Sequence, residues 1–193
     1  MAEIVIASSN KGKINDFKTI FVYDKVIGIN ELIADFDVEE TGTTFEENAR
    51  LKSEAAAKAL GKTVIADDSG LEVAALNGEP GIYSARYAGE AKSDDANIDK
   101  LLEKLEGIQA RDARFVCVIS MTTAEGETHT FKGTVDGEIT LQRNGENGFG
   151  YDPVFYVPDK NKTMAQLTAE EKAKISHRRR AIDQLQAFIQ GDE

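Results

Sequence analysis

The chain has 193 residues, 41% hydrophobic and 30% charged, which suits one domain, or one domain with two lobes, that buries its core without disulfide staples. A net charge of −11 argues against non-specific binding to nucleic acid, whose affinity comes from neutralised phosphates, but leaves room for a small phosphorylated ligand in a local basic pocket. One cysteine, no apolar stretch long enough to cross a bilayer and no basic-then-apolar leader predict a cytoplasmic protein with no membrane partner.

Glu3-Ile4-Val5-Ile6-Ala7 predicts a buried first strand, followed by a polar loop from Ser8 to Gly12 and a helix from Lys13 to about Phe21. A second helix is predicted from Thr44 to Leu60. Thr44 and Glu47 form a capping-box pattern, alanines fill the middle and Gly61 ends it. Val64 and Ile65, both β-branched, predict a strand that delivers Asp67-Asp68 to its end, where Gly70 lets the chain turn. Pro80 to Gly89 reads as a loop. Ser93 to Leu105 predicts a helix with Ile98, Leu101, Leu102 and Leu105 on one face, ended by Gly107. Ala113 to Thr123 predicts a long buried strand, with Cys117 as a small core residue. Thr128 to Leu141 predicts a hairpin continuing the sheet, with Gly133 and Gly137 as bulges or turns. Asn144 to Asp152, with three glycines, is a loop. Thr168 and Glu171 repeat the capping-box pattern, and the last helix carries Ala181, Ile182, Leu185, Phe188 and Ile189 on one stripe. Alternating strands and helices in the first half predict an α/β fold.

Several short segments carry chemistry. Adjacent carboxylates such as Asp67 and Asp68 repel unless a cation or a proton separates them, so a metal site serving phosphate chemistry is one reading; a capped turn with solvated acids is the other. Ser8-Ser9-Asn10-Lys11-Gly12-Lys13 joins a strand to a helix, where amides, a glycine and a lysine suit a phosphate. It is not a Walker A loop, which needs Gly at Ala7 and Ser or Thr at Ile14. Glu40 either offers the metal a second carboxylate or simply favours the dipole of the helix that follows. Asn48 and Lys52, four apart, share a helix face. In Gly148-Phe149-Gly150-Tyr151-Asp152-Pro153 the glycines let backbone approach a ligand and present Phe149 for stacking on a base, or else the loop is a hydrophobic plug. Ser176-His177-Arg178-Arg179-Arg180 puts three arginines at a helix N-terminus, against its dipole. A polyanion or a base oxygen nearby would relieve that conflict.

In combination these segments resemble the inosine triphosphate pyrophosphatases. The motifs are S-x-N-x-x-K at Ser8–Lys13, E-T-G-x-T-F-x-E-N-A at Glu40–Ala49, A-D-D-S-G-L at Ala66–Leu71, P-G-I-Y-S-A-R-Y at Pro80–Tyr87, G-F-G-Y-D-P at Gly148–Pro153 and K-x-x-I-S-H-R at Lys172–Arg178. The resemblance runs from Ser8 to Ala181, with no departure at a motif position. It implies one domain over residues 1–193: an elongated α/β fold, with a mixed sheet flanked by helices and two lobes around a central cleft. It also implies a homodimer and Mg²⁺-dependent hydrolysis of ITP, dITP and XTP to the monophosphate and pyrophosphate.

Carried over residue by residue, the resemblance makes Asp68 the general base and a metal ligand with Glu40, and gives Asp67 a supporting role. Ser8, Asn10 and Lys13, with Ser9, Lys11 and Gly12 of the same loop, would hold phosphates, assisted by Lys52 and Ser69. Phe149 would stack on the base, with Gly150, Tyr151 and Asp152 lining its pocket. Lys172, His177 and Arg178 would read the purine and secure its neighbouring phosphate, and Arg86 is a further candidate for phosphate. The rival readings are a phosphohydrolase that cuts the terminal phosphate or acts on pyrimidine nucleotides, and a nucleotide sensor without turnover.

Overall fold

The computed structural model describes residues 2–191. Its strands are β1 (Glu3–Ile6), β2 (Lys25–Gly28), β3 (Val64–Val73), β4 (Asp112–Thr122), β5 (Thr128–Ile139), β6 (Phe155–Val157) and β7 (Lys162–Thr163). Its α-helices are α1 (Lys11–Ile20), α2 (Phe45–Leu60), α3 (Asp94–Lys104), α4 (Ala169–Ile175) and α5 (His177–Gly191). The strands make one mixed sheet in the order β2-β1-β3-β4-β5-β6-β7, so the fold is α/β as the alternation predicts. β1 is parallel to both β2 and β3, while β6 is antiparallel to both β5 and β7. Parallel strands are covered on both faces, which is why β1 reads as an unbroken apolar run.

The chain divides into two compact units. The first takes in the chain up to Asp68, Cys117–Gly133 and the chain from Arg178 onward; the second is Ser69–Val116 with Thr134–His177. The core of the first includes Val5, Ala7 and Ile29 with Ala56, Ala57, Val64 and Ala66. The alanines on α2 let the helix lie close to its neighbours, and this is the use the alanine run serves. The core of the second gathers Leu71 and Val73, Ile98 and Leu101 of α3 with Leu105 at its C-cap, and Phe115, Phe155, Met164 and Leu167. Each of those buried α3 side chains contributes about 1.5–3 kcal/mol.

The helix caps are largely as the sequence predicts. Thr44 accepts a hydrogen bond from the Glu47 amide and Gly61 closes α2 at φ 64°, but Glu47 bonds back to the Thr43 amide rather than to that of Thr44. Ser93 caps α3, and Thr168 with Glu171 forms the full capping box of α4. Four expectations are corrected. First, α1 begins at Lys11, capped by Asn10, so Lys11, Gly12 and Lys13 all lie in its first turn. Second, the paired acids stand inside β3 rather than at its end, because the strand runs on through Gly70 to bury Leu71 and Val73. Third, Thr128–Leu141 is not a hairpin: β5 is continuous to Ile139, and a Cβ at Gly137 would meet the Tyr156 carbonyl and the Phe155 ring, so that glycine permits a close approach. Fourth, Pro80 to Gly89 is not all loop but contains a 3-10 helix, Gly81–Arg86, in which the Ser84 hydroxyl donates to the Gly81 carbonyl.

Candidate active site

In the first unit Asp67 is fully buried among charged partners. Its Oδ2 accepts from Arg178 Nε at 3.2 Å and Nη2 at 2.9 Å, with Cys117 Sγ at 3.7 Å. Lys13 Nζ lies 3.2 Å from Oδ1 without hydrogen-bond geometry, a purely Coulombic contact. Lys52 Nζ donates to the Asp67 backbone carbonyl at 2.5 Å and to Glu40 Oε1 at 3.2 Å. Arg178 Nη1 reaches Asp16 Oδ2 at 2.6 Å.

The charges in this cluster follow from burial opposed by pairing. Burial works to raise the Asp67 carboxyl, but Lys13, Arg178 and Lys52 override it and hold the group well below the usual carboxylate range. Burial works to lower the Lys52 ammonium, and Asp67, Asp68 and Glu40 outweigh it, leaving the pKa above its ordinary value. Burial likewise opposes the Arg178 charge, and Asp67 first among its partners more than restores it. Asp68 goes the other way. It is 4% exposed and its Oδ2 accepts no hydrogen bond. Burial pushes it up to about 6; Glu40 and Asp67 push in the same direction, and Lys52 and Lys13 pull back. Strand alternation sends neighbouring side chains to opposite faces, so two consecutive aspartates reach opposite protonation tendencies.

The donor set suits a hard divalent cation. Among the described residues no group of three or more His, Cys, Asp or Glu is arranged to hold a metal ion. Mg²⁺ needs no such cage, since it is characteristically held by one or two carboxylates together with substrate phosphates. Asp68, with a buried oxygen that accepts nothing, and Glu40, near enough for its charge to bear on Asp68, fit that role.

The second unit holds the aromatic segment. Phe149 lies between Gly148 (φ 75°) and Gly150 (φ 61°), both left-handed, which explains the glycines on either side. The Phe149 amide donates to Asp152 Oδ2 at 3.1 Å, and that oxygen also accepts from Lys172 Nζ at 2.8 Å. The Lys172 ammonium sits 4.6 Å from the centre of the Phe149 ring. Tyr151 is buried and donates to the Ser84 carbonyl at 2.6 Å. A cavity of about 440 Å³ opens beside this loop, lined among others by Ser93, Asp94, Asn147 and Phe149. His177 stacks on Phe115 with ring centres 4.9 Å apart.

The profile of the Ham1 family matches residues 4–188. The chain belongs to the Ham1 family. It is 72% identical, over all 193 residues and 99% of the relative, to a Staphylococcus aureus protein named dITP/XTP pyrophosphatase. The Staphylococcus aureus Ham1 protein structure aligns with TM-score 0.88 at 72% identity, covering 99% of this chain and 100% of that one. A Ham1 protein from Coxiella burnetii aligns with TM-score 0.87 at 43% identity, with the same coverage.

Within this Ham1 chain the structure gathers Lys13, Glu40, Lys52, Asp67, Asp68 and Arg178 in the first unit, and Phe149, Gly150, Tyr151, Asp152, Lys172 and His177 in the second. Ser8 and Asn10 shape the start of α1: Ser8 Oγ accepts from the Asn10 amide and Asn10 Oδ1 from the Lys13 amide. Ser9 and Lys11 are exposed, while Gly12 and Ser69 are half-buried. The Arg86 guanidinium lies 5.2 Å from the centre of the Tyr83 ring. The expected relief of the arginine-rich helix start is internal. Asp16 and Asp67 meet Arg178, and Asp183 meets Arg179 at 2.9 Å, so no external anion is needed for these two. Sequence reasoning missed Asp16, whose signal was its place three residues after Lys13 on one helix face. It also missed Cys117 as a neighbour of Asp67, for which no spacing gives a clue.

Proposed function

We propose that this chain is a pyrophosphatase of non-standard purine nucleoside triphosphates. With Mg²⁺ it hydrolyses dITP, ITP and XTP to the monophosphate and pyrophosphate, clearing deaminated purines from the nucleotide pool. Its full-length likeness to a dITP/XTP pyrophosphatase supports the substrate class. The observation that carries the chemistry is the contrast between the adjacent aspartates: Asp67 is taken up by Arg178 and Lys13, while Asp68 is buried with an acceptor oxygen that no hydrogen bond uses. Burial raises the Asp68 carboxyl in the metal-free protein, and a carboxylate with an unused acceptor can serve a water or a cation.

Asp68 accepts the proton of a water that attacks the α-phosphorus, and the bond to the bridging oxygen breaks as pyrophosphate leaves. Lys13 and Lys52, with the amides at the α1 N-terminus and Ser8, Ser9, Asn10, Lys11, Gly12 and Ser69, balance the polyphosphate charge. Glu40 and Asp68 would hold Mg²⁺, which supplies charge neutralisation and polarises a phosphoryl oxygen. Phe149, with Gly150, Tyr151 and Asp152, receives the base. Lys172 and His177 serve the purine side, and Arg178, placed with them by resemblance, holds Asp67 in this structure. Residues 1–193 act as one catalytic domain, a homodimer in the cytoplasm with no nucleic-acid partner. Among the described residues no helix is long and apolar enough to cross a membrane.

The test is a panel of ITP, XTP, dITP, GTP, ATP and dTTP assayed for both pyrophosphate and orthophosphate. Pyrophosphate from the deaminated purines is expected. Orthophosphate release, a preference for dTTP, or binding of ITP without turnover would each overturn the reading.

A further inference from the structure

We propose that Asp94, at the start of α3, is a positioning residue for the base platform: its carboxylate fixes the backbone on which Phe149 is carried. The inference rests on the reading of Phe149 as the surface that receives the purine.

Three ties hold the residues around that ring. The Phe149 amide is bonded to Asp152 Oδ2, two residues past Gly150. The Tyr151 hydroxyl is bonded to the Ser84 carbonyl. Between them, the Gly150 amide donates to Asp94 Oδ2 at 3.0 Å, from an element 56 positions away. A Cβ at Gly150 would meet nothing within 4 Å, so this glycine is required by its left-handed φ of 61° and not by crowding. The turn is closed on either side by the Asp152 amide donating to the Phe149 carbonyl and by the buried Tyr151. Of the three ties, the bond to Asp94 is the one that acts on the Gly150 amide itself and the one that comes from outside the loop's own turn and its Tyr151 anchor.

Asp94 is itself well placed to act as a fixed point. Ser93 caps α3 by accepting from the Ala96 amide, so Asp94 lies in the first helical turn and moves only as the helix moves. The helix is anchored by Ile98, Leu101 and Leu105 in the core of the second unit. Asp95, next in that turn, carries the same charge but faces Arg143. It serves as the control for charge at a helix N-terminus, the ordinary role of an acid there.

The experiment is steady-state hydrolysis of ITP, with inorganic pyrophosphate as competing inhibitor, for Asp94→Ala, Asp94→Asn, Asp95→Ala and Phe149→Ala. Losing one hydrogen bond to an ionised acceptor should raise KM for ITP in Asp94→Ala about tenfold, leaving kcat within about twofold. Pyrophosphate inhibition should be unchanged, because it reads the phosphate side alone. Asp94→Asn, which keeps an acceptor oxygen, should restore KM, and Asp95→Ala should match the parent. The proposal is overturned if Asp94→Ala matches the parent while Phe149→Ala raises KM, or if Asp94→Asn is as impaired as Asp94→Ala, which would mean charge and not the bond. If Phe149→Ala leaves KM unchanged, the platform reading itself falls, whatever Asp94 does.

Discussion

Asp68 has a pH signature that separates its catalytic from its structural effect. Its pKa of about 6 in the folded protein lies above the ordinary carboxylate value. The native state therefore binds a proton that the unfolded chain has already released. The stability this confers is complete below the unfolded pKa of about 4 and is lost as pH rises through about 6. Asp68→Asn should cut turnover at least ~10²-fold, the lower range for losing a general base. The same change, in protein freed of divalent metal, should stabilise the fold by on the order of 2 kcal/mol at pH 8 and by about half as much at pH 5. Thermal melts at the two pH values measure this, and an equal effect at both would place Asp68 in water. The Asp67–Arg178 pair should behave in the opposite sense. Breaking a buried pair leaves a charge uncompensated, so Asp67→Asn and Arg178→Met should each cost about 3–5 kcal/mol, and the double variant clearly less than their sum. Urea titration of the four proteins supplies the cycle. Because Asp67 is held below the ordinary range, its contribution is present at neutral pH and fades only in acid; removing Arg178 should move that acid limb to higher pH. None of these pairings is visible in spacing. Asp67 and Arg178 are 111 residues apart. Their motifs were legible through the resemblance, but their mutual contact was not.

Elements were legible where local chemistry alone decides them. Thr44, Ser93 and Thr168 each sit one residue before a helix and cap it, as short-range hydrogen bonding dictates. β6 and β7 were missed because runs of three and two residues show no period, and β2, unlike the equally short β1 with its unbroken apolar Ile4-Val5-Ile6, starts on Lys25 and ends on Gly28; only their neighbours in the sheet make them strands. The misread end of β3 has the same origin: Gly70 is a turn residue by propensity, and tertiary burial of Leu71 and Val73 overrides it. Helix α2 shows a further tie that no pattern announces. Buried Ser53 Oγ lies 2.7 Å from Ser120 Oγ and 2.8 Å from Thr122 Oγ1, and Thr122 continues to Thr128 Oγ1 at 2.9 Å. This hydroxyl chain fastens α2 to β4 and β5. Ser53→Ala removes the central member and leaves the Ser120 partner unpaired, so it should cost about 1–2 kcal/mol in urea denaturation with KM unchanged.

At the scale of the whole molecule, the alternation of strands and helices indicated the α/β fold, and two lobes were expected from length and resemblance, while the boundaries between the two units were not legible. Domain boundaries announce themselves as linkers, and here β3, β4 and β5 pass from one unit to the other without one. The buried position of Cys117 has a practical consequence for studying such a chain. The sequence has a single sulfhydryl, wholly enclosed, with its pKa raised first by burial and then by Asp67. An aromatic disulfide reagent reaches it only when the structure around Asp67 opens. The protein thus contains its own stopwatch: the labelling rate counts openings, with no engineered probe and no background from a second thiol. Labelling should be orders of magnitude slower than in urea-unfolded chain. A phosphate ligand that closes on Lys13 should slow it further, in proportion to one plus ligand concentration over Kd. Labelling at the rate of an exposed thiol in native buffer would mean that the cluster spends its time open.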